Sequence, residues 1–216
     1  MNQNYLLRKI KTIHDVLDRT KLTVSALSTL DAGIFPHEHL KLCTEAALLS
    51  ERATCLLRNL IYASGCRRNE YLQKAATEQG IKIFYNDGII TIEFPFLPGK
   101  KHGIHSAQYL FDPLHAALER ITQELTIPKF TECTICIEHI YDAQLFDYVI
   151  FDYDNLQNKQ LLDTIAAHLL TDDNAALCDF YQTSVRADRN CTRVYLMTKN
   201  QFTRWLTERK KCEFRC

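Results

Sequence analysis

The run Ile81-Lys82-Ile83-Phe84-Tyr85-Asn86-Asp87-Gly88-Ile89-Ile90-Thr91-Ile92-Glu93-Phe94 is where the chain changes its hydrophobic period. Two segments rich in β-branched and aromatic residues flank Asn-Asp-Gly. The spacing predicts a hairpin of strands Ile81 to Tyr85 and Ile89 to Phe94, with the glycine supplying a left-handed turn residue. Residues before it repeat at helical spacing, and strands and helices intermix after it.

Upstream, Leu6, Ile10, Ile13 and Leu17 recur at three- and four-residue steps and predict a helix from about Asn4 to Leu30. Asp31-Ala32-Gly33-Ile34-Phe35-Pro36 breaks it. A second helix starts near Pro36, suited to a first helical position, and carries Leu42, Leu49, Leu56, Leu57 and Leu60 as far as Gly65. These two form an antiparallel hairpin, and a third helix from Asn69 to Glu78 is closed by Gly80. Residues 1–80 are therefore expected to be a helical extension for interaction or positioning.

Downstream, Pro95 and Pro98-Gly99 stop the strand, and Lys100 to His105 make a basic loop. Leu114, Leu118, Ile121 and Leu125 mark a helix beginning at Asp112-Pro113. Strand-like runs at Thr134 to Tyr141 and Phe146 to Phe151 come next. A helix bearing Leu156, Leu162, Ile165 and Leu169 precedes strand-like runs at Leu177 to Val185 and Thr192 to Met197, and a last helix covers Gln201 to Lys210. Residues 81–216 thus read as an α+β domain with a mixed sheet.

The 216 residues are 46% hydrophobic, enough for a buried core. No run approaches the roughly eighteen apolar residues of a membrane helix, and the first residues lack the charged and apolar regions of a signal peptide, so a cytoplasmic location is expected. Nine cysteines, an odd number without a secreted scaffold's density, are expected to be reduced, buried apolar thiols. Net charge is zero but uneven. Phe130 to Phe180 holds ten acids against one lysine, and Arg186 to the end holds nine Lys or Arg against three acids. An acidic centre beside a basic arm suits a metal site facing a phosphate backbone, and equally suits a solvated tail.

Phe151-Asp152-Tyr153-Asp154-Asn155-Leu156-Gln157, followed by Asp172-Asp173, carries the densest chemistry. Carboxylates two apart on a strand project from one face and repel unless a cation neutralises them, which is the arrangement of a hard-metal site. The same acids also suit a helix cap and a solvated turn.

Asp-x-Asp-Asn-Leu-Gln, a helix, Leu170-Thr171-Asp172-Asp173 and a following strand resemble the RusA-type Holliday junction resolvases. Ile89 to Pro98 resembles that family's opening strand and proline loop, and the resemblance covers about Lys82 to Thr198. It implies an α+β, RusA-like mixed-sheet nuclease domain at 81–216 after the helical hairpin. It also implies that Asp152, Asp154 and Asp173 bind Mg²⁺ or Mn²⁺, with Asp172 as a supporting acid. Where the family carries a lysine four residues after the second Asp, this chain has Asn158, and Lys159 stands one further on.

On that resemblance the expected activity is metal-dependent hydrolysis of phosphodiesters in Holliday junctions or other branched DNA, in recombination and repair. Lys159 would neutralise the scissile phosphate, while Lys100, Lys101, Arg186 and Arg193 would contact the backbone. A helix between Asp154 and Asp173 would span roughly 24 Å, so the two meet only if the chain folds back or a second subunit supplies one, and a homodimer is expected. The alternative is a catalytically degenerate module of a mobile element, on the same fold, that binds DNA or a protein partner through the hairpin.

Overall fold

The Asn-Asp-Gly turn folds as its residues dictate. In a computed structural model of the protein, β1 (Lys82–Asn86) and β2 (Ile89–Phe94) pair antiparallel with Asn86 opposite Ile89. Both connecting residues lie at positive φ, Asp87 at 51° and Gly88 at 77°, the signature of a type I′ turn whose twist matches the strands it joins. Asp87 therefore shares the left-handed role that sequence reading assigns to glycine alone. The structure describes residues 3–95, 108–144, 158–172, 174 and 176–213.

Three further strands, β3 (Cys133–Asp142), β4 (Cys178–Ala187) and β5 (Cys191–Met197), complete a five-stranded sheet in the order β1-β2-β5-β3-β4. Only β3 and β4 run parallel; the other neighbours are antiparallel, so the sheet is mixed. Parallel neighbours cannot be joined by a tight turn, and the connection between β3 and β4 contains helix α5 (Asn158–Leu169). Nearly every residue of β3 is buried, Thr134, Glu138 and His139 included, so neither face of the strand is left to solvent. β2 alternates instead, with Ile90, Ile92 and Phe94 inward.

One face of the sheet is covered by α5 and by α4 (Gln108–Leu125). Leu110, Leu114, Ala117 and Leu118 of α4 and Leu161, Ile165 and Leu169 of α5 pack with Ile90, Ile92, Ile135, Ile137, Val194 and Leu196. Their spacing of three, four and seven residues is that of a core-facing helical stripe. Helix α4 begins a turn earlier than the expected Asp112-Pro113 start. Pro113 lies inside its N-terminal part, where proline forfeits only one backbone bond.

The chain divides into two units, Met1–Arg68 and Asn69–Cys216. The first holds the expected hairpin of α1 (Gln3–Thr29) and α2 (Pro36–Ala63). Between them the Asp31 carboxylate accepts bonds from the backbone N–H groups of Gly33 and Ile34 at 2.8 and 3.2 Å. Helix α3 (Arg68–Glu78), grouped by sequence with the extension, contributes Ala76 to the sheet's core. It ends at Gly80, φ 74°, where the N–H of Ile81 reaches back to the Ala76 carbonyl at 2.9 Å, closing a Schellman turn.

Helix α6 (Lys199–Glu213) opens with a capping box. The Thr198 hydroxyl accepts from the Gln201 N–H at 3.3 Å, and Gln201 Oε1 accepts from the Thr198 N–H at 2.9 Å. Gln201 Nε2 also donates to the Asp87 carbonyl at 2.7 Å, tying α6 to the β1–β2 turn. Thr198→Ala is expected to cost about 1 kcal/mol, read as a lower urea midpoint with unchanged slope.

The expected strand at Phe146 to Phe151 and the basic loop Lys100 to His105 lie outside the described residues.

Candidate functional site

Of the residues expected to form a metal and DNA site, Asp152, Asp154, Asp173, Lys100 and Lys101 lie outside the described residues. Asp172 is exposed and accepts bonds from the backbone and side-chain nitrogens of Asn174 at 3.1 and 2.7 Å, an Asx-type turn. Lys159 is exposed in the first turn of α5 and pairs with Asp163, one turn on, at 2.9 Å. Asn158 instead lies on the buried stripe of α5 that continues through Leu161, Ile165 and Leu169. Arg186, on edge strand β4, donates to the Ala143 carbonyl at 3.3 Å. Among the described residues no group of three or more His, Cys, Asp or Glu side chains is placed to hold a metal ion.

Arg193 takes part in a different arrangement. Register places Glu93 of β2 opposite Arg193 of β5, and Arg193 Nε donates to Glu93 at 2.9 Å, with Arg189 at 3.4 Å and Lys82 at 3.7 Å. Burial pushes the Glu93 carboxyl up, but the Arg193 hydrogen bond and the three cationic charges outweigh it, so Glu93 lies below its ordinary value. Register likewise puts Glu138 of β3 opposite Arg193. The nearly buried Glu138 carboxylate accepts from Arg209 of α6 at 2.8 Å and from the Tyr195 hydroxyl at 3.2 Å. Tyr181, Phe202, Trp205 and Tyr195 form a chain of ring contacts, with the Arg209 guanidinium over Trp205. The Glu138–Arg209 pair and these ring contacts hold α6 to the sheet face opposite α4 and α5. Sequence reading missed them because Glu138 and Arg209 are far apart in the chain and neither carries a local motif.

Two histidines are tuned by burial. The Nδ1 of His115 on α4 and Nε2 of His168 on α5 are 2.9 Å apart, so one ring must accept and stay unprotonated at that nitrogen. Burial, then the neighbouring His115 charge, lowers the His168 pKa. His139, fully buried in β3, is pushed down by burial from the ordinary 6.5 to about 4. Unfolded histidine takes up its proton near 6.5, whereas folded His139 stays neutral until about 4. Between those values the unfolded chain binds more protons, so acid favours unfolding. The contribution is whole above pH 6.5 and is lost as pH falls toward 4, at most about 3 kcal/mol. Urea unfolding at neutral pH and at roughly pH 5 is expected to show this loss, with a shallower loss in His139→Gln.

Among the described residues, most of the exposed large hydrophobic side chains lie in the first unit. Its seam is thin: Val16, Leu49 and Ala53 form the buried cluster with Leu56 against them. Leu40 and Leu48 of α2 remain 66% and 65% exposed. With Thr44 and Arg52 they recur every fourth residue, which puts them on one stripe. A groove of about 660 Å³ runs along that stripe, lined also by Arg19, Lys41 and Glu45. Arg19 pairs with Glu45 at 3.3 Å, while Lys41 and Arg52 have no ion pair among the described residues. Sequence reading followed the Leu42 and Leu49 face of α2. The signal for the second face was present in Leu40 and Leu48, more apolar positions than one hairpin partner can cover.

The chain matches, over residues 2–214, a family described as a family of unknown function (DUF6100). No curated protein matches it. Among solved structures it is similar to the periplasmic domain of Helicobacter pylori MotB (residues 90–256), at 15% identity and TM-score 0.34 over 63% of this chain and 90% of that one. It is similar also to a putative MotB-like protein from Desulfovibrio vulgaris, at 17% identity and TM-score 0.32 over 67% and 99%. Likeness at this level transfers no activity or ligand.

The resemblance to RusA-type resolvases is corrected by these findings. The family whose model spans nearly the whole chain is not that one. Physically, the position that needs the family's lysine belongs to the core stripe of α5, and Lys159 points away from it into its own ion pair. A short acidic string matches the family's motif, but the position where that motif carries its lysine is here the buried Asn158. Nuclease function, its recombination and repair role and a branched-DNA partner are withdrawn with it. The expected cytoplasmic location is withdrawn too: it rested only on segments that the sequence lacks. Among the described residues no helix is long and apolar enough to cross a membrane.

Proposed function

The chain belongs to DUF6100, a family of unknown function, and we propose that it is a protein-binding module whose helical hairpin docks the hairpin of a second copy. One observation carries the reading: two helices of 27 and 28 residues close on a seam of a few side chains and leave Leu40 and Leu48 about two-thirds exposed on one stripe. Such a pair is half of a four-helix bundle, and a bundle core is completed by a second pair presenting its own stripe.

A two-fold axis makes the contact self-complementary, the same patch serving both partners. Charge supports that occupant. Lys41 and Arg52 flank the leucines without an ion pair, and Asp15, exposed on α1 one turn from Arg19, has none either among the described residues. In a two-fold pairing the cations of one copy meet the acids of the other, which fixes register more than it adds affinity.

Size-exclusion chromatography with light scattering tests this on the whole chain. The expected mass at micromolar concentration is that of two chains. A mass of one chain at every concentration overturns the proposal.

A further inference from the structure

Cys133 and Cys178 are the opposed first residues of the parallel strands β3 and β4. Neighbouring strands lie about 4.8 Å apart, within the roughly 4.4–6.8 Å between Cα atoms that a disulfide spans. Burial first, then the Cys178 thiol beside it, pushes the Cys133 thiol up to about 12, so Cys133 is held as the neutral thiol. Cys133 is fully buried, while Cys178 is partly exposed, so an oxidant reaches one sulfur and the other waits behind it. Lys199, 3.4 Å from the Ala176 carbonyl and 3.3 Å from Asp179, brings a positive charge to the same strand end. Cys136 is three residues from Cys133 on a strand and so projects from the opposite face.

We propose that Cys133 and Cys178 are a redox modification site, closing reversibly into a disulfide that staples edge strand β4 to the buried strand β3. With a peroxide as oxidant, the Cys178 thiolate attacks one peroxide oxygen. The O–O bond breaks, giving Cys178 sulfenic acid, and the departing oxygen leaves as water or alcohol. The Cys133 sulfur then attacks the sulfenic sulfur. The S–S bond forms as the S–O bond breaks, and the released hydroxide carries off the Cys133 proton as water. Two thiols have lost two electrons, and the peroxide has gained them. A dithiol reductant reverses the step by exchange.

The staple closes a loop that includes α5, which restricts the unfolded chain more than the folded one. The edge strand is also where a sheet needs protection from pairing with other chains.

The test is peptide mapping of the whole protein after stoichiometric hydrogen peroxide, digested without reductant. Trypsin cuts after Lys129, Lys159 and Arg186, leaving Cys178 as the one cysteine of residues 160–186, and Cys133 with Cys136 in residues 130–159. The expected product is these two peptides joined with the loss of two hydrogens, released by dithiothreitol, and still joined in Cys136→Ala. Cys133→Ala is expected to abolish the link and, with a second equivalent of peroxide, let Cys178 proceed to sulfinic acid. The oxidised protein is expected to unfold at a midpoint roughly 10 °C higher than the reduced one. Cys178 reaching sulfinic acid in the wild type without the link, a link lost in Cys136→Ala, or both peptides left unmodified would each overturn the proposal.

Discussion

Arg209→Met is expected to destabilise the sheet unit by about 3–5 kcal/mol, the largest effect of any single substitution considered. Glu138 sits in a strand buried on both faces, and Arg209 at 2.8 Å supplies the charge that makes its carboxylate tolerable there. Removing the guanidinium leaves a desolvated anion with, among the described residues, the Tyr195 hydroxyl 3.2 Å away as its remaining donor. The cost is that of the stranded partner, not the worth of the pair. The double variant Glu138→Leu/Arg209→Met is therefore expected to recover most of the loss, because replacing both members with apolar groups removes the desolvation penalty. Urea midpoints for the two singles and the double settle it. Equal losses in Arg209→Met and in the double would mean that α6 is held by its aromatic contacts and not by the ion pair.

Leu40→Glu/Leu48→Glu carries the second large effect, and it falls on assembly. Burying a leucine is worth about 1.5–3 kcal/mol, so a two-fold pairing that covers both leucines of both copies loses roughly 6 kcal/mol or more when they become carboxylates. That is about a ten-thousandfold weakening, enough to separate the copies at micromolar concentration. Folding of the single chain is expected to change little, since both side chains are already about two-thirds exposed within it. Unchanged helical circular dichroism checks that the hairpin survives. A dimer that persists in the double variant places its interface elsewhere.

The fold was legible wherever local chemistry dictates it. Asn86-Asp87-Gly88 between alternating runs defines its hairpin without outside help, and Pro36 and Gly80 mark helix boundaries for reasons internal to the backbone. The start of α4 was not, because Pro113 reads as a first-turn residue and the structure admits it further in. The burial of α1 was read partly right: Ile13 is buried, but Val16 and not Leu17 enters the seam, Leu17 being 43% exposed. The helical period alone does not say which side of a broad apolar face meets its partner.

The site was legible only in its residue types. Acids at 152, 154, 172 and 173 matched a known string, and nothing in that string states that the neighbouring helix turns Asn158 into the core. Glu93 and Glu138 look like isolated charges in apolar strands. Their cations come from register across the sheet and from α6, which are long-range facts. Leu40 and Leu48 were in plain view, but what distinguishes them from Leu42 and Leu49 is only which of them α1 covers.

Self-association through the hairpin is most directly tested by sedimentation equilibrium of the wild type and Leu40→Glu/Leu48→Glu side by side, at matched micromolar concentration and neutral pH. Two chains are expected for the wild type and one for the variant, with both equally helical. A single-chain mass for the wild type, or the same two-chain mass for both proteins, would contradict it.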